Sequence, residues 1–355
     1  LEFNNDKEKI MRSATTPHYG SPQVIQLARR PRPLANDHDI IVEVEAAAVT
    51  AGDVRMRSAD FPGISALPGR MLMGVSRPRN EVQGTMFAGR VVEVGEEVKR
   101  FAPGDRVFGS VDHGAYATFV RIHEDMTIAK IPDDIGFIEA ASVPYGAVTA
   151  LYFLQHLADL QPGERVLIVG ASGGVGQYAV QIAKYLGAEV TGVCSEPNAL
   201  RVLELGADRV IDYQTENYLS SGETYDVIFD IQGVTGFWQA RNALSARGRF
   251  ITLLVSFAVL MQMAATSILG GKRAIFGVAL GGPDQLAKVA DLLSCGAIRP
   301  VPGAVFPFDE IARAHETAQS RRSNGTVIVR GAGHVITADI GAASCSRMLG
   351  LPMFQ

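Results

Sequence analysis

The sequence predicts an α/β protein in which a doubly wound parallel sheet is joined to an antiparallel β-barrel. Three observations carry that expectation. Short strand-like runs separated by glycine or charged turns recur through residues 23–120, the texture of a small barrel. From Val166 onward strands alternate with helices, as in a parallel sheet covered on both faces. Where the texture changes, Val166-Leu167-Ile168-Val169 reads as a buried strand and Gly170-Ala171-Ser172-Gly173-Gly174-Val175-Gly176 as a glycine turn. Val175, Ala179, Ile182, Ala183 and Leu186 then recur at helical spacing.

In chain order, strands are expected at 23–28 and 39–48, where Ile40 to Ala46 partly alternates apolar with acidic residues. Residues 51–83 read as irregular. Short strands follow at 91–95, 104–109 and 116–120, and an apolar helical stretch at 138–157. After the glycine turn, strands are expected at 189–193, 209–211, 226–229, 249–254 and 273–278, with helices at 198–205, 237–244 and 284–294. Strands at 304–306 and 326–329, around an amphipathic helix at 309–319, are expected to return to the barrel. Residues 331–355 carry no clear period and read as a loosely attached tail.

Composition narrows the function classes. The chain has 355 residues, 47% hydrophobic and 20% charged, enough for two domains. A net charge of −4 offers no basic field for nucleic acid or an anionic membrane. The three cysteines, Cys194, Cys295 and Cys345, lie far apart, which argues against a disulfide framework or a zinc knuckle. A cytoplasmic location is the expectation. Residues 1–10 are polar and acidic, unlike a secretion signal, and Leu1-Glu2-Phe3 resembles a restriction-site remnant with Met11 as a candidate start; they are set aside in reasoning about the fold. The seven histidines are dispersed and read as solvated or core residues.

A strand, glycine turn and helix in this order is the setting in which glycines bind a dinucleotide. Gly170 lets the chain leave the strand in a tight turn. Gly173 removes a side chain where backbone must approach a pyrophosphate, and Gly176 lets helix and strand pack closely. Ser172, Gly174 and Val175 complete the cofactor-binding turn, and the helix N-terminus offers N–H groups to phosphate. The first two glycines are three residues apart, a variant of the GxGxxG spacing.

With these segments in place, residues 12–330 resemble the medium-chain dehydrogenase/reductase superfamily, in its zinc-free quinone-oxidoreductase (zeta-crystallin-like) branch. The resemblance rests on an ordered set: 48–53 (AVTAGD), 87–95 (FAGRVVEVG), 103–107 (PGDRV), 146–150 (GAVTA), 160–164 (LQPGE), 205–208 (LGAD) and 324–327 (NGTV). It implies a Rossmann-type cofactor domain at 141–295 and a GroES-like substrate domain made of 11–140 and 296–330. The zinc enzymes of the superfamily bind metal with a Cys, a His-Glu pair and a later Cys. Here Thr50 and Thr85-Met86 stand at the first of these positions, and no Cys precedes residue 194, so no metal is expected. An acidic residue is usual where Met86 stands, which leaves any role for that carboxylate unsupported.

NAD enzymes of this fold place a carboxylate at the end of the second strand to hold the ribose 2′-OH. Here that position is Cys194. Ser195 and Asn198 follow, and Tyr213 resembles the tyrosine beside the adenine ribose in the NADPH pattern; Glu196 counts against it, and Arg201 is either a phosphate partner or a solvated helix charge. NADPH is therefore the expected cofactor. By resemblance Thr149 reaches the nicotinamide ribose, although it also reads as a helix-interior threonine bonding its own backbone. Asn324 and Gly325 resemble the return loop over the cofactor, and equally read as a surface turn.

Hydride transfer needs placement and a proton source. The candidates are Thr50, Asp53 and Tyr145, each of which also has a packing or turn reading. Asp53 matches an aspartate of the family's loop, and Tyr145 could donate to a developing oxyanion. Residues 250–269 are the most apolar run, close in length to the ~20 residues that span a bilayer. Since 249–254 is needed as a strand, the remainder is expected to wall an apolar pocket or a subunit contact. The function expected is NADPH-dependent reduction of a small apolar quinone or α,β-unsaturated carbonyl, by a homodimer joined at the last strand of the parallel sheet. An enoyl-thioester reductase and a non-catalytic NADPH-binding protein are the alternatives.

Overall fold

The computed structural model describes residues 10–333 apart from 62, 221, 280, 321 and 322. The chain opens with β1 (Ile10–Thr15) and β2 (Gln26–Pro31), which form a two-stranded antiparallel sheet. The long β3 (Asp39–Val49) follows, then α1 (Ala51–Ser58) and α2 (Ala66–Met73). Next come β4 (Met86–Val94), β5 (Arg106–Ser110), β6 (Phe119–His123) and β7 (Ile128–Lys130). Two short helices, α3 (Phe137–Ala141) and α4 (Pro144–Leu151), lead to β8 (Arg165–Val169).

From β8 the chain alternates. It runs through α5 (Gly176–Tyr185), β9 (Glu189–Cys194), α6 (Ala199–Glu204), β10 (Arg209–Asp212), β11 (Tyr225–Asp230) and α7 (Phe237–Ala240). It continues through β12 (Leu244–Thr252), α8 (Phe257–Leu269), β13 (Arg273–Phe276) and α9 (Pro283–Ser294). The last elements are β14 (Pro302–Phe306), α10 (Ile311–Ser320) and β15 (Thr326–Arg330).

The six strands from β8 to β13 form one all-parallel sheet in the order β10-β9-β8-β11-β12-β13. The order reverses between β8 and β11, and that crevice is where ligands bind in such sheets. The second large sheet has the order β14-β15-β3-β4-β5-β7 with β6 also on β3. It is antiparallel except for the β14–β15 pair. The late strands at 302–306 and 326–330 thus return to the sheet begun at residue 39.

An apolar core runs from the parallel sheet through α4 to Ala46, Ala48, Ala88 and Phe108 of the antiparallel sheet. A second fills the interior of the antiparallel sheet around Val44, Phe87 and Val107. Burial of this kind stabilises by about 25 cal/mol per Å² of apolar surface, so the alanines at positions 46, 48 and 88 matter for close approach more than for area.

Two expectations need correction. Residues 51–83 are not irregular throughout, since they contain α1 and α2. Helix α1 has two arginines and a glycine and no apolar period, but it starts at a capping box, Thr50 with Asp53. Helix α2 buries none of its residues, so no apolar stripe marks it. The stretch 138–157 is helical as expected, in pieces: it divides at Val143-Pro144, and 152–157 is wound as a π-helical turn. The first residues of the proposed tail are held, for Ala332 is buried and the Gly331 N–H donates to the Glu45 carbonyl at 2.7 Å. Residues 334–355 lie outside the described residues.

At Gly176 a Cβ would lie 2.1 Å from the Gly170 carbonyl oxygen and 2.8 Å from the Ala171 Cα, both backbone atoms that cannot rotate away. At Gly174 the nearest atom would be the Thr326 hydroxyl at 3.7 Å. Gly176→Ala is therefore expected to cost about 1–3 kcal/mol through overpacking, seen as a melting temperature several degrees below wild type. Gly174→Ala should stay close to wild type. Equal melting temperatures for the two variants would show that the turn is not packed this tightly.

Candidate functional site

The glycine turn lies at the carboxyl end of β8, beside the crevice where the strand order reverses. Gly170 has φ +90°, a conformation that favours glycine. The Gly170 and Ala171 N–H groups both donate to the Val193 carbonyl at 3.0 Å, which ties the turn to the end of β9. The Gly173 N–H donates back to Gly170 O at 3.0 Å. Ser172, Gly173 and Gly174 are partly exposed, whereas Val175 and Gly176 are buried at the start of α5. Bare backbone thus faces the crevice and a close-packed helix stands behind it, a shape that fits a pyrophosphate.

The rim of the crevice comes from several segments. Thr149 is 8% exposed in α4, the helix whose Gly146 packs against the turn; a Cβ at Gly146 would meet Gly174 O at 2.3 Å. The Thr326 hydroxyl donates to Ser142 O at 3.3 Å and brings the 324–326 loop to the same place. Asn324 is exposed with φ +45°, and its carbonyl accepts a hydrogen bond from the Arg201 guanidinium of α6. Arg201 and Arg299 lie close enough for mutual repulsion to help lower the Arg201 pKa, after burial as the first cause.

The end of β9 differs from expectation in one respect. The Cys194 side chain belongs to the core at 2% exposure, and burial first, then Asp212, pushes its thiol up to about 11. Asp212 is its register partner on β10, so a carboxylate does stand near this strand end, one strand across. That carboxylate accepts the Gln214 N–H at 3.0 Å within its own turn. Cys194 therefore does not face the crevice, and the first side chain free to do so is the partly exposed Ser195. Its Oγ accepts a hydrogen bond from Asn198 Nδ2 at 3.0 Å, which leaves the Ser195 O–H able to donate. Glu196 and Tyr213 are exposed.

Sequence reasoning missed Gln232, whose side chain lies over the turn. A Cβ on Gly170 would come within 2.7 Å of its Cγ, and one on Gly173 within 3.6 Å of its Nε2. Buried Asp230, at the end of β11, accepts the Gln232, Gly233 and Thr235 N–H groups and so fixes that loop. The available signal was position: Gln232 follows the strand across the switch point from β8.

Thr50, Asp53 and Tyr145 are brought together. Asp53 is fully buried. Its Oδ2 accepts the Thr50 N–H at 2.8 Å and the Thr50 O–H at 2.6 Å, while its Oδ1 accepts the Thr85 O–H at 3.0 Å. Burial raises its pKa, and these bonds pull it back. Burial first, and then the Asp53 charge, raise the pKa of Tyr145, with Arg55 acting the other way. Tyr145 thus keeps its proton, whereas the hydroxyl hydrogens of Thr50 and Thr85 are committed to Asp53. Among the described residues no three His, Cys, Asp or Glu side chains cluster as a metal site would require.

Asp53→Ala would leave two buried donors and one partly buried donor without an acceptor and remove the α1 capping box. A loss of about 2–4 kcal/mol is expected from orphaned donors and a lost cap, read as a lower urea midpoint at unchanged slope. Thr50→Ser, which keeps the hydroxyl, should lose far less. Wild-type stability in Asp53→Ala would show that the carboxylate does not hold this loop.

Comparison with known proteins agrees with this geometry. Residues 36–133 match the alcohol dehydrogenase GroES-like domain family, and residues 205–329 match a family described as zinc-binding dehydrogenase. The mouse mitochondrial NAD(P)H oxidoreductase RTN4IP1 is 32% identical, over 93% of this chain and 91% of its own. The pig quinone oxidoreductase is also 32% identical, over 91% of this chain and 98% of its own. A quinone oxidoreductase structure from Coxiella burnetii superposes with a TM-score of 0.79 at 26% identity, covering 91% of this chain and 99% of that one. The chain belongs to the medium-chain dehydrogenase/reductase superfamily of oxidoreductases, in its quinone-oxidoreductase branch.

Proposed function

We propose that this protein is an NADPH-dependent, zinc-independent oxidoreductase that reduces a small apolar quinone or α,β-unsaturated carbonyl. The observation that carries the reading is the pairing of a bare glycine turn at the switch point with a neighbouring Thr50–Asp53–Thr85 network where a zinc enzyme would hold its ligands. The names of the mouse and pig relatives support a nicotinamide cofactor and a quinone acceptor. In this reading residues 141–295 form the cofactor domain, and 11–140 with 296–330 form the substrate domain.

The backbone of Gly170, Ser172, Gly173, Gly174, Val175 and Gly176 would hold the pyrophosphate. Ser195, Asn198 and Tyr213 would face the adenosine ribose and its 2′-phosphate. Thr149 and Asn324 would close on the nicotinamide half. The nicotinamide, when bound, supplies the hydride. Tyr145 would be the proton donor: it lies close enough to feel the Asp53 charge, and burial keeps its hydroxyl protonated. In this reading Asp53 and Thr50 would hold the loop against the cleft, the turn reading that their hydrogen bonds favour over direct proton transfer.

The second half of the apolar run forms α8, with Phe257, Met261 and Ile268 exposed. It precedes β13, the unpaired edge of the parallel sheet. We propose that this edge and helix meet their copies in a two-fold dimer. Light scattering at micromolar protein should give twice the chain mass; a monomeric mass would reject the dimer. No helix among the described residues is long and apolar enough to cross a membrane. The cellular compartment is read as cytoplasmic, with the mitochondrial relative marking the other possibility to be tested by localisation.

The cofactor test uses Ser195→Asp, because Cys194 is buried. A carboxylate there would repel the 2′-phosphate, and with exposure and screening the penalty is about 1–3 kcal/mol, or about 5- to 150-fold in affinity. Titration should show wild type preferring NADPH, and the variant losing NADPH while keeping NADH. Quinone reduction should persist with a chelator present, in protein with no stoichiometric zinc by elemental analysis. A wild-type preference for NADH, or one bound zinc per chain needed for turnover, would overturn the reading.

A further inference from the structure

The β1–β2 sheet borders a second feature that the proposed reaction does not use. A cavity of about 700 Å³ opens beside the segment that follows α2, lined among others by Arg30, Arg77, Arg79, Asn80, Glu81 and His113. Three arginines are among its lining residues. Glu81, the one acid in the lining, is already paired with Arg30. Two positive charges, those of Arg77 and Arg79, are left without a counter-charge in the lining.

The loop that presents them is built rather than loose. Gly74 has φ +123°, and a Cβ there would meet the Arg77 carbonyl oxygen at 2.0 Å. The Arg79 N–H donates to Met73 O at 2.8 Å and its guanidinium to Met71 O at 2.9 Å, while the Tyr19 hydroxyl donates to Gly74 O at 2.7 Å. Arg77 is exposed and makes no side-chain hydrogen bond or ion pair among the described residues. A turn clamped at three points that holds one free and one anchored guanidinium over a concave surface suits a multivalent anion, since guanidinium pairs bind phosphate oxygens in bidentate fashion.

We propose that this cavity is a binding site for a phosphate- or pyrophosphate-bearing small molecule. Its position suggests two sources for that phosphate. Val82 lines the cavity and Thr85, which bonds Asp53, lies three residues on, at most about 10 Å along the chain. A substrate with a phosphate-bearing handle could rest the handle here and place its reacting end in the cleft. A free phosphate compound could instead bind here as an effector. The anion site stands independently of the proposed reaction; only the handle assignment rests on it.

The test is calorimetric titration of the full chain with sodium pyrophosphate at low salt, comparing wild type with Arg77→Glu and with Arg247→Glu. Arg247 is exposed and does not line the cavity, so its variant controls for net charge. Any pyrophosphate bound at the glycine turn is common to all three proteins. The expected result is at least a tenfold loss of affinity in Arg77→Glu and none in Arg247→Glu. No loss in Arg77→Glu, an equal loss in both variants, or no binding to wild type would overturn the site. Steady-state kinetics separate the sources. A KM raised at least fivefold at unchanged kcat for a crotonyl thioester of coenzyme A, but not for benzoquinone, assigns the phosphate to a substrate handle. Unchanged KM for both, with pyrophosphate binding still lost, assigns it to a free anion. Absence of all turnover would count against the proposed reaction and leave the titration result standing.

Discussion

The buried hydroxyl of Tyr178 is the contact on which the relation between the two large sheets depends. Tyr178 sits on α5, directly behind the glycine turn. It receives the Val301 N–H at 3.0 Å and lies 3.2 Å from the Ser142 hydroxyl and 3.3 Å from the Ser142 carbonyl. Those two residues flank the places where the chain passes from one sheet to the other. One turn further along α5, Gln181 accepts the Arg299 N–H at 2.8 Å and donates to the Arg299 carbonyl at 3.3 Å. Both crossings are thus stapled to the helix whose N-terminus faces the crevice. Burial raises the tyrosine pKa to about 12, so the hydroxyl remains a neutral donor and acceptor across the physiological range. Because buried polar groups are costly to leave unmatched, the crossings have little freedom to drift relative to the turn.

The antiparallel sheet is organised around a different buried polar group. Asp53 gathers Thr50 and Thr85, and through them the start of α1 and the start of β4. Further along α1, Arg57 is fully buried, donating to Gly20 O at 3.1 Å and to the Gln319 side chain of α10 at 2.7 Å. His315 of α10 is also fully buried, edge-on to Tyr116, and burial together with the Arg57 charge pushes its pKa down to about 3. It is therefore neutral near pH 7, a core histidine as its dispersed place in the sequence suggested. The charges that fix α1 come from one arginine and one aspartate that do not pair with each other: Asp53 accepts from the Thr50 N–H and from two hydroxyls, and Arg57 donates to two neutral oxygens while its buried Nε makes no hydrogen bond.

Several elements could be read directly from local pattern. The β8 strand, the glycine turn and α5 were legible because each imposes a local requirement: a run of apolar β-formers, a glycine with φ +90°, and a helical apolar period. Helix α1 left only its capping box as a signal, and α2, exposed on every side, left none. Local pattern marked 138–157 as helical, and Pro144 carries the break between its helices.

The candidate site divides the same way. The glycines and the absence of zinc-ligand residue types at positions 50, 85 and 86 follow from residue identity alone, because a missing side chain or a missing ligand atom is a property of the residue. By itself the sequence determined the alternation of strands and helices, the parallel sheet and the dinucleotide-type turn. The tertiary structure decided which way side chains point and which distant groups share a partner. It turned Cys194 into the core, placed Asp212 beside it, laid Gln232 over the turn and joined Arg201 to Asn324. The physical reason is that strand neighbours and loop contacts are set by packing between residues far apart in the chain. No local period or propensity records which of them will meet.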